Sequence, residues 1–130
     1  MTGINEARQE RRGYRRLRVN LAVVFRVDKT SKTRMQIENK DIRATMIDLG
    51  EGGLSILTNY SIPEGSILSM KFTLFKVESD DVSFYGPMDI TGVVKYYHVL
   101  SNNEFRLGIV FQKIEKNDLG EIANFIGSSG

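Results

Sequence analysis

Apolar residues recur at every second position through most of the chain. Val19, Leu21, Val23, Phe25 and Val27 fall on one side of an extended segment, which predicts a strand with one buried face. Residues 28–41 are polar and read as a loop or a frayed hairpin tip. From Ile42 to Leu49 the alternation resumes, with Thr45, Ile47 and Leu49 on one side and Ala44, Met46 and Asp48 on the other. Gly50-Glu51-Gly52-Gly53 interrupts it, and Leu54–Thr58 continues as a strand. Pro63 and Gly65 mark a turn before a long strand over 66–77, carried by Ile67, Met70, Phe72, Leu74 and Phe75. Residues 78–87 read as an acidic connection in which Val82–Tyr85 can add strand. Met88–Leu100 is a strand again, Ser101-Asn102-Asn103 is a hairpin turn, and Glu104–Gln112 returns through Phe105, Leu107, Ile109 and Phe111.

Only residues 114–126 have a helical period. Ile114, Leu119, Ile122, Ala123 and Ile126 share a face, Asn117 or Asp118 can cap, and Gly127 is a stop. About six strands joined mostly by short turns, then one helix, predict a mainly all-β fold. Six antiparallel strands remove their unpaired edges by closing into a small barrel, and the helix would cover one mouth. The expected organisation is a flexible basic arm over residues 1–18, a barrel with its C-terminal helix over 19–126, and a flexible tail over 127–130.

Composition narrows the chemistry. The 130 residues suit one domain, and a hydrophobic fraction of 41% supplies one core. Cysteine is absent, so disulfide and thiolate chemistry is excluded. The sole histidine, His98, has no carboxylate cluster to build a zinc site with and reads as a strand surface residue. The basic N-terminus lacks the apolar stretch of a signal peptide, and no apolar run approaches the roughly 20 residues that span a bilayer. The expectation is a cytoplasmic protein without direct membrane insertion.

Charge is unevenly placed. Residues 1–18 hold six Arg and two Glu, a net +4, whereas 19–130 hold 12 basic and 14 acidic residues, a net −2. A nucleic-acid polymer is usually met by a basic footprint spread over the fold. A local cluster suits a small anion better. Every basic residue of the arm is Arg, whose planar fork matches phosphate oxygens and the O6/N7 edge of guanine. Arg12 and Arg16 lie four apart, a spacing that puts both on one side of a helix or of a strand. A solvated charge run would show the same composition. Asp48-Leu49-Gly50-Glu51-Gly52-Gly53 is a strand-to-strand turn opened by a carboxylate, and by itself it reads equally as a plain hairpin. No helix follows it, so it is not a P-loop or dinucleotide fingerprint.

Taken together, the two stretches resemble the signatures of the PilZ domain, the bacterial receptor module for cyclic di-GMP. The family's Arg-x-x-x-Arg motif is matched by Arg12-Gly13-Tyr14-Arg15-Arg16, with Arg11 ahead of it. Its Asp/Asn-x-Ser-x-x-Gly motif is matched by Asp48-Leu49-Gly50-Glu51-Gly52-Gly53. The Pro63–Gly65 turn and the closing Leu107-Gly108-Ile109-Val110-Phe111 strand are similar to the family as well, so the resemblance spans about residues 9–126. It implies a cyclic di-GMP site made by Arg11, Arg12, Arg16, Asp48, Gly50, Gly52 and Gly53, with Tyr14 and Arg15 as secondary candidates. It also implies ligand binding that orders the arm against the barrel, a downstream protein partner, no other cofactor, and a monomer or weak dimer.

One position departs: Gly50 stands where the family has serine. A lost hydrogen bond weakens binding by about 0.5–1.5 kcal/mol, or roughly 1.5–3 when the partner is charged. The alternative is therefore a PilZ-type adaptor that does not bind the nucleotide and acts through protein contacts. A nucleic-acid-binding barrel is disfavoured because no aromatic stacking platform is clustered on one strand. An enzyme is disfavoured because no nucleophile or metal-ligand set surrounds Asp48 or His98 at a recognisable spacing.

Overall fold

In a computed structural model, which describes residues 16–29, 39–101 and 103–129, the chain forms six strands and one helix. They are β1 (Arg16–Lys29), β2 (Asp41–Gly50), β3 (Gly53–Thr58), β4 (Ile67–Glu78), β5 (Asp81–Ser101), β6 (Glu104–Lys113) and α1 (Lys116–Ser129). All neighbouring strands are antiparallel, and they close in the order β1-β2-β3-β6-β5-β4. The six-stranded barrel with a C-terminal helix is thus the fold that the alternation predicted.

Alternation works because a closed barrel buries one face of every strand. Val23, Phe25, Val27, Leu54, Ile56, Leu68, Met70, Leu74, Ile90, Val94, Leu107 and Ile109 all point into one core and are almost fully buried. The barrel is plugged by α1, which inserts Ile122, Phe125 and Ile126 into that core. Leu119, expected on this face, stays 36% exposed, while Phe125, which the helical period did not flag, is buried. Gly127 does not end the helix. It lies inside the last turn, where Ser128 Oγ donates to Phe125 O at 3.0 Å and holds that turn closed.

Three expectations about the strands are corrected. First, β1 begins at Arg16 rather than Val19, because Arg16, Leu17 and Arg18 pair with Gly50, Leu49 and Asp48. Second, residues 78–87 are not a loose connection. They form the end of a long hairpin that runs out to a Glu78–Asp81 pair across Ser79-Asp80. Beyond the barrel wall this hairpin is a two-stranded ribbon, and two strands alone are marginal in water. Its inner face rests on α1: Lys76 Nζ donates to Ser128 Oγ at 2.6 Å, and Tyr85 meets the Phe125 ring edge-on at 5.3 Å. Its outer face leaves Phe75, Val77, Val82 and Phe84 exposed.

The third correction concerns β2. Met46 and Leu49 are both fully buried, although they were expected on opposite sides. The pairing of β2 with β3 slips between Met46 and Asp48, and that of β1 with β2 slips between Arg18 and Leu21. The slip is a β-bulge, which lets one extra residue pass and reverses the alternation beyond it. Leu49 therefore points inward and Asp48 outward.

Two glycines are required where strands meet closely. A Cβ on Gly53 would lie 2.1 Å from the Ile109 carbonyl oxygen, and one on Gly108 would lie 2.1 Å from the Tyr96 ring. Backbone cannot yield as a flexible side chain can. Gly53→Ala is expected to lower stability by about 1–3 kcal/mol, as overpacking does, read as a drop in the urea midpoint at unchanged slope. Phe125→Ala should cost about 3–5 kcal/mol by removing the plug.

Candidate functional site

The β2 bulge starts the site. Register then carries it across the barrel wall, since directly paired residues share a face. Asp48 pairs with Ser55 on β3, Ser55 with Gly108 on β6, and Gly108 with Tyr96 on β5. The row lies on the outer surface, with the Tyr96 ring over the bare Cα of Gly108. Two residues before Gly108, and on the same face, stands Arg106.

Asp48 is held from both sides. Arg16 Nη2 donates to Oδ1 at 2.5 Å, and Arg106 Nη2 donates to Oδ2 at 3.1 Å. The carboxylate is 15% exposed, against 48% for the Arg16 side chain and 40% for that of Arg106. One negative charge shared by two guanidiniums leaves a net positive patch, with Arg18 paired opposite Asp48 on β1. Two polar atoms at this place are buried and have no partner among the described residues: Ser55 Oγ and Arg106 Nε. Buried donors and acceptors are ordinarily paired, so these two mark a spot with hydrogen-bonding capacity to spare.

Of the residues named from sequence, the structure brings Arg16, Asp48 and Gly50 together. Gly50 is buried directly opposite Arg16. Gly52 and Gly53 lie in the same β2–β3 turn but serve the barrel: Gly52 O accepts from Phe111 N at 3.0 Å, and Gly53 abuts Ile109. None of the three glycines has a positive φ, so the turn does not use their left-handed freedom. Arg11, Arg12, Tyr14 and Arg15 lie outside the described residues.

Arg106, Ser55 and Tyr96 were missed. Arg106 sits at an outward position of an alternating strand and looks there like any solvated charge. A signal was present in Gly108, since glycine inside a strand marks close approach of another group.

A concavity of about 560 Å³ lies elsewhere, where β1 and β4 diverge. Its lining is mainly apolar, with Val24, Phe72, Phe75 and Met88 beside Lys71 and Asp89. It has no guanidinium among its lining residues. The chemistry suited to an anion is at Asp48. No group of described His, Cys, Asp or Glu residues could hold a metal ion, and no described helix is long and apolar enough to cross a membrane.

The fold and motif positions define a PilZ-type barrel. The sequence profile of the PilZ domain matches residues 8–128, so the chain belongs to the PilZ domain family. No curated protein matches the chain in sequence. Among solved structures, the Bacillus subtilis inhibitor of motility MotI/DgrA is similar with a TM-score of 0.65 at 15% identity, over 89% of this chain and 50% of that one. The chain thus spans about half the length of that protein. The PilZ domain of YcgR from Escherichia coli, solved with c-di-GMP, matches with a TM-score of 0.60 at 16% identity, over 91% of this chain and 90% of that one. MrkH of K. pneumonia in its apo state gives 0.62 at 17% identity, over 88% of this chain and 49% of that one.

The two ion pairs are half-exposed on the arginine side, so each is a modest contributor to stability. A double-mutant cycle with Asp48→Ala and Arg106→Ala should give a coupling of about 0.5–1 kcal/mol in urea unfolding, and the fold should survive both changes.

Proposed function

We propose that the protein is a receptor for cyclic di-GMP. The observation that carries this reading is the Asp48 carboxylate, set on the outer barrel wall between two guanidiniums. Membership of the PilZ family and the c-di-GMP bound to the YcgR domain support it.

In this reading, Asp48 accepts from the N1–H and the N2 amine of one guanine. Arg12 and Arg16 engage phosphate oxygens and a guanine O6/N7 edge through charge-assisted, bidentate contacts. Arg16 is already fixed to the barrel through its strand pairing and its ion pair. It therefore anchors one end of the motif. Arg11 and Arg15 add charge beside the phosphates, and Tyr14 can stack on a base. Binding draws the arm against the barrel and changes the surface displayed near the β2–β3 turn, which a protein partner then reads. Binding is also an exchange. Both oxygens of Asp48 are engaged by arginine, so guanine has to share or displace the two guanidiniums.

Gly50 favours a second reading, an adaptor that acts through protein contacts without the nucleotide. A missing hydroxyl at that position costs about one hydrogen bond, which is small against the roughly −8.2 kcal/mol of a micromolar complex.

Calorimetric titration with cyclic di-GMP, and with GTP as control, tests the proposal. Saturable binding is expected, weakened at least about tenfold in Arg12→Ala and in Asp48→Ala, and strengthened in Gly50→Ser. A folded parent protein that gives no heat at high micromolar ligand would leave the adaptor.

A further inference from the structure

Arg106 belongs to neither motif, yet it holds half of the Asp48 carboxylate. We propose that Arg106 reads the O6 of the guanine that Asp48 binds, supplying the donor that Gly50 cannot; this rests on the receptor reading above.

The Watson–Crick edge of guanine presents O6, N1–H and the N2 amine side by side. A carboxylate that accepts from N1–H and N2–H leaves O6 just beyond the oxygen that takes N1–H. A donor already bonded to that oxygen is a neighbour of O6. Arg106 Nη2 occupies this place on Oδ2. The same edge of its guanidinium carries Nε–H, which is buried and has no partner among the described residues. A buried N–H without an acceptor is a cost that a carbonyl acceptor brought beside it recovers. Arg106 also stands mid-strand on β6, paired with Leu57 and His98, so its backbone is held on both sides. Arg16 is the first residue of β1 and is committed to the other oxygen, Oδ1. The Ser55 hydroxyl, also buried and without a partner among the described residues, stands directly opposite Asp48 on β3.

Asp48 and Arg106 together thus form a donor–acceptor pair complementary to guanine. Adenine has an amine in place of O6 and no N1–H, and would oppose donor to donor and acceptor to acceptor. Specificity for guanine would be set by a residue some 58 positions along the chain from the motif aspartate.

The test compares cyclic di-GMP with cyclic di-IMP, which keeps O6 and N1–H but lacks the N2 amine. Parent, Arg106→Leu, Arg106→Gln and Asp48→Ala proteins are titrated with both ligands, and thermal melting checks their folding. Arg106→Leu is expected to weaken both ligands by the same factor, about 10- to 100-fold, so that their affinity ratio is kept. Arg106→Gln, which retains a neutral donor, should recover part of the loss. Asp48→Ala should abolish the ratio. Arg106→Leu that binds both ligands like the parent would overturn the assignment. So would a variant in which only the ratio collapses, because Arg106 would then merely orient Asp48. A parent protein that binds neither ligand would overturn the receptor reading itself.

Discussion

A single extra residue in β2 decides which way Asp48 faces. Without the bulge, strict alternation would put Met46 and Asp48 on one side and Leu49 on the other. The core could then take Leu49 only by losing Met46, or would have to accept a carboxylate. Burying an ionised carboxylate without partners costs far more than a bulge. The slip between Met46 and Asp48 lets both apolar side chains stay fully buried and turns Asp48 out to the wall. Arg16 and Arg106 meet its carboxylate only because of that turn.

What gathers there is electrostatically unfinished. Two half-exposed guanidiniums share one carboxylate, and two buried polar atoms go without partners among the described residues. Neither feature helps the fold much, since exposed ion pairs contribute little and an unpaired buried group is a cost. The charge and hydrogen-bonding capacity left over at this place are those an anionic, carbonyl-bearing group would match. The carboxylate and both guanidiniums lie on paired strands of a closed barrel, so register fixes where they stand.

The far end of the molecule follows a different logic. The β4–β5 ribbon extends past the barrel and survives because α1 supports one of its faces through Lys76, Tyr85 and Phe125. The same helix closes the barrel mouth with Ile122, Phe125 and Ile126. Plug and buttress are one element. This explains why the helix runs through Gly127 to Ser129: its last turn is where the ribbon is held, by contacts a sequence pattern does not contain.

The sequence by itself determined the barrel, because a period of two is a local property that each strand displays on its own. It also determined the motif positions Arg16 and Asp48, through spacing and the break at Gly50-Glu51-Gly52-Gly53, and it marked family membership. It could not show the bulge, which exists only as a mismatch between two strands and leaves no trace in either alone. The contact of Arg106 with Asp48 was equally out of reach. Only the closure that sets β6 beside β3, and β3 beside β2, carries that guanidinium to Asp48 across 58 residues of chain. Local periodicity fixes what each strand is. Which charges meet is fixed by register and by strand order, and these belong to the tertiary structure.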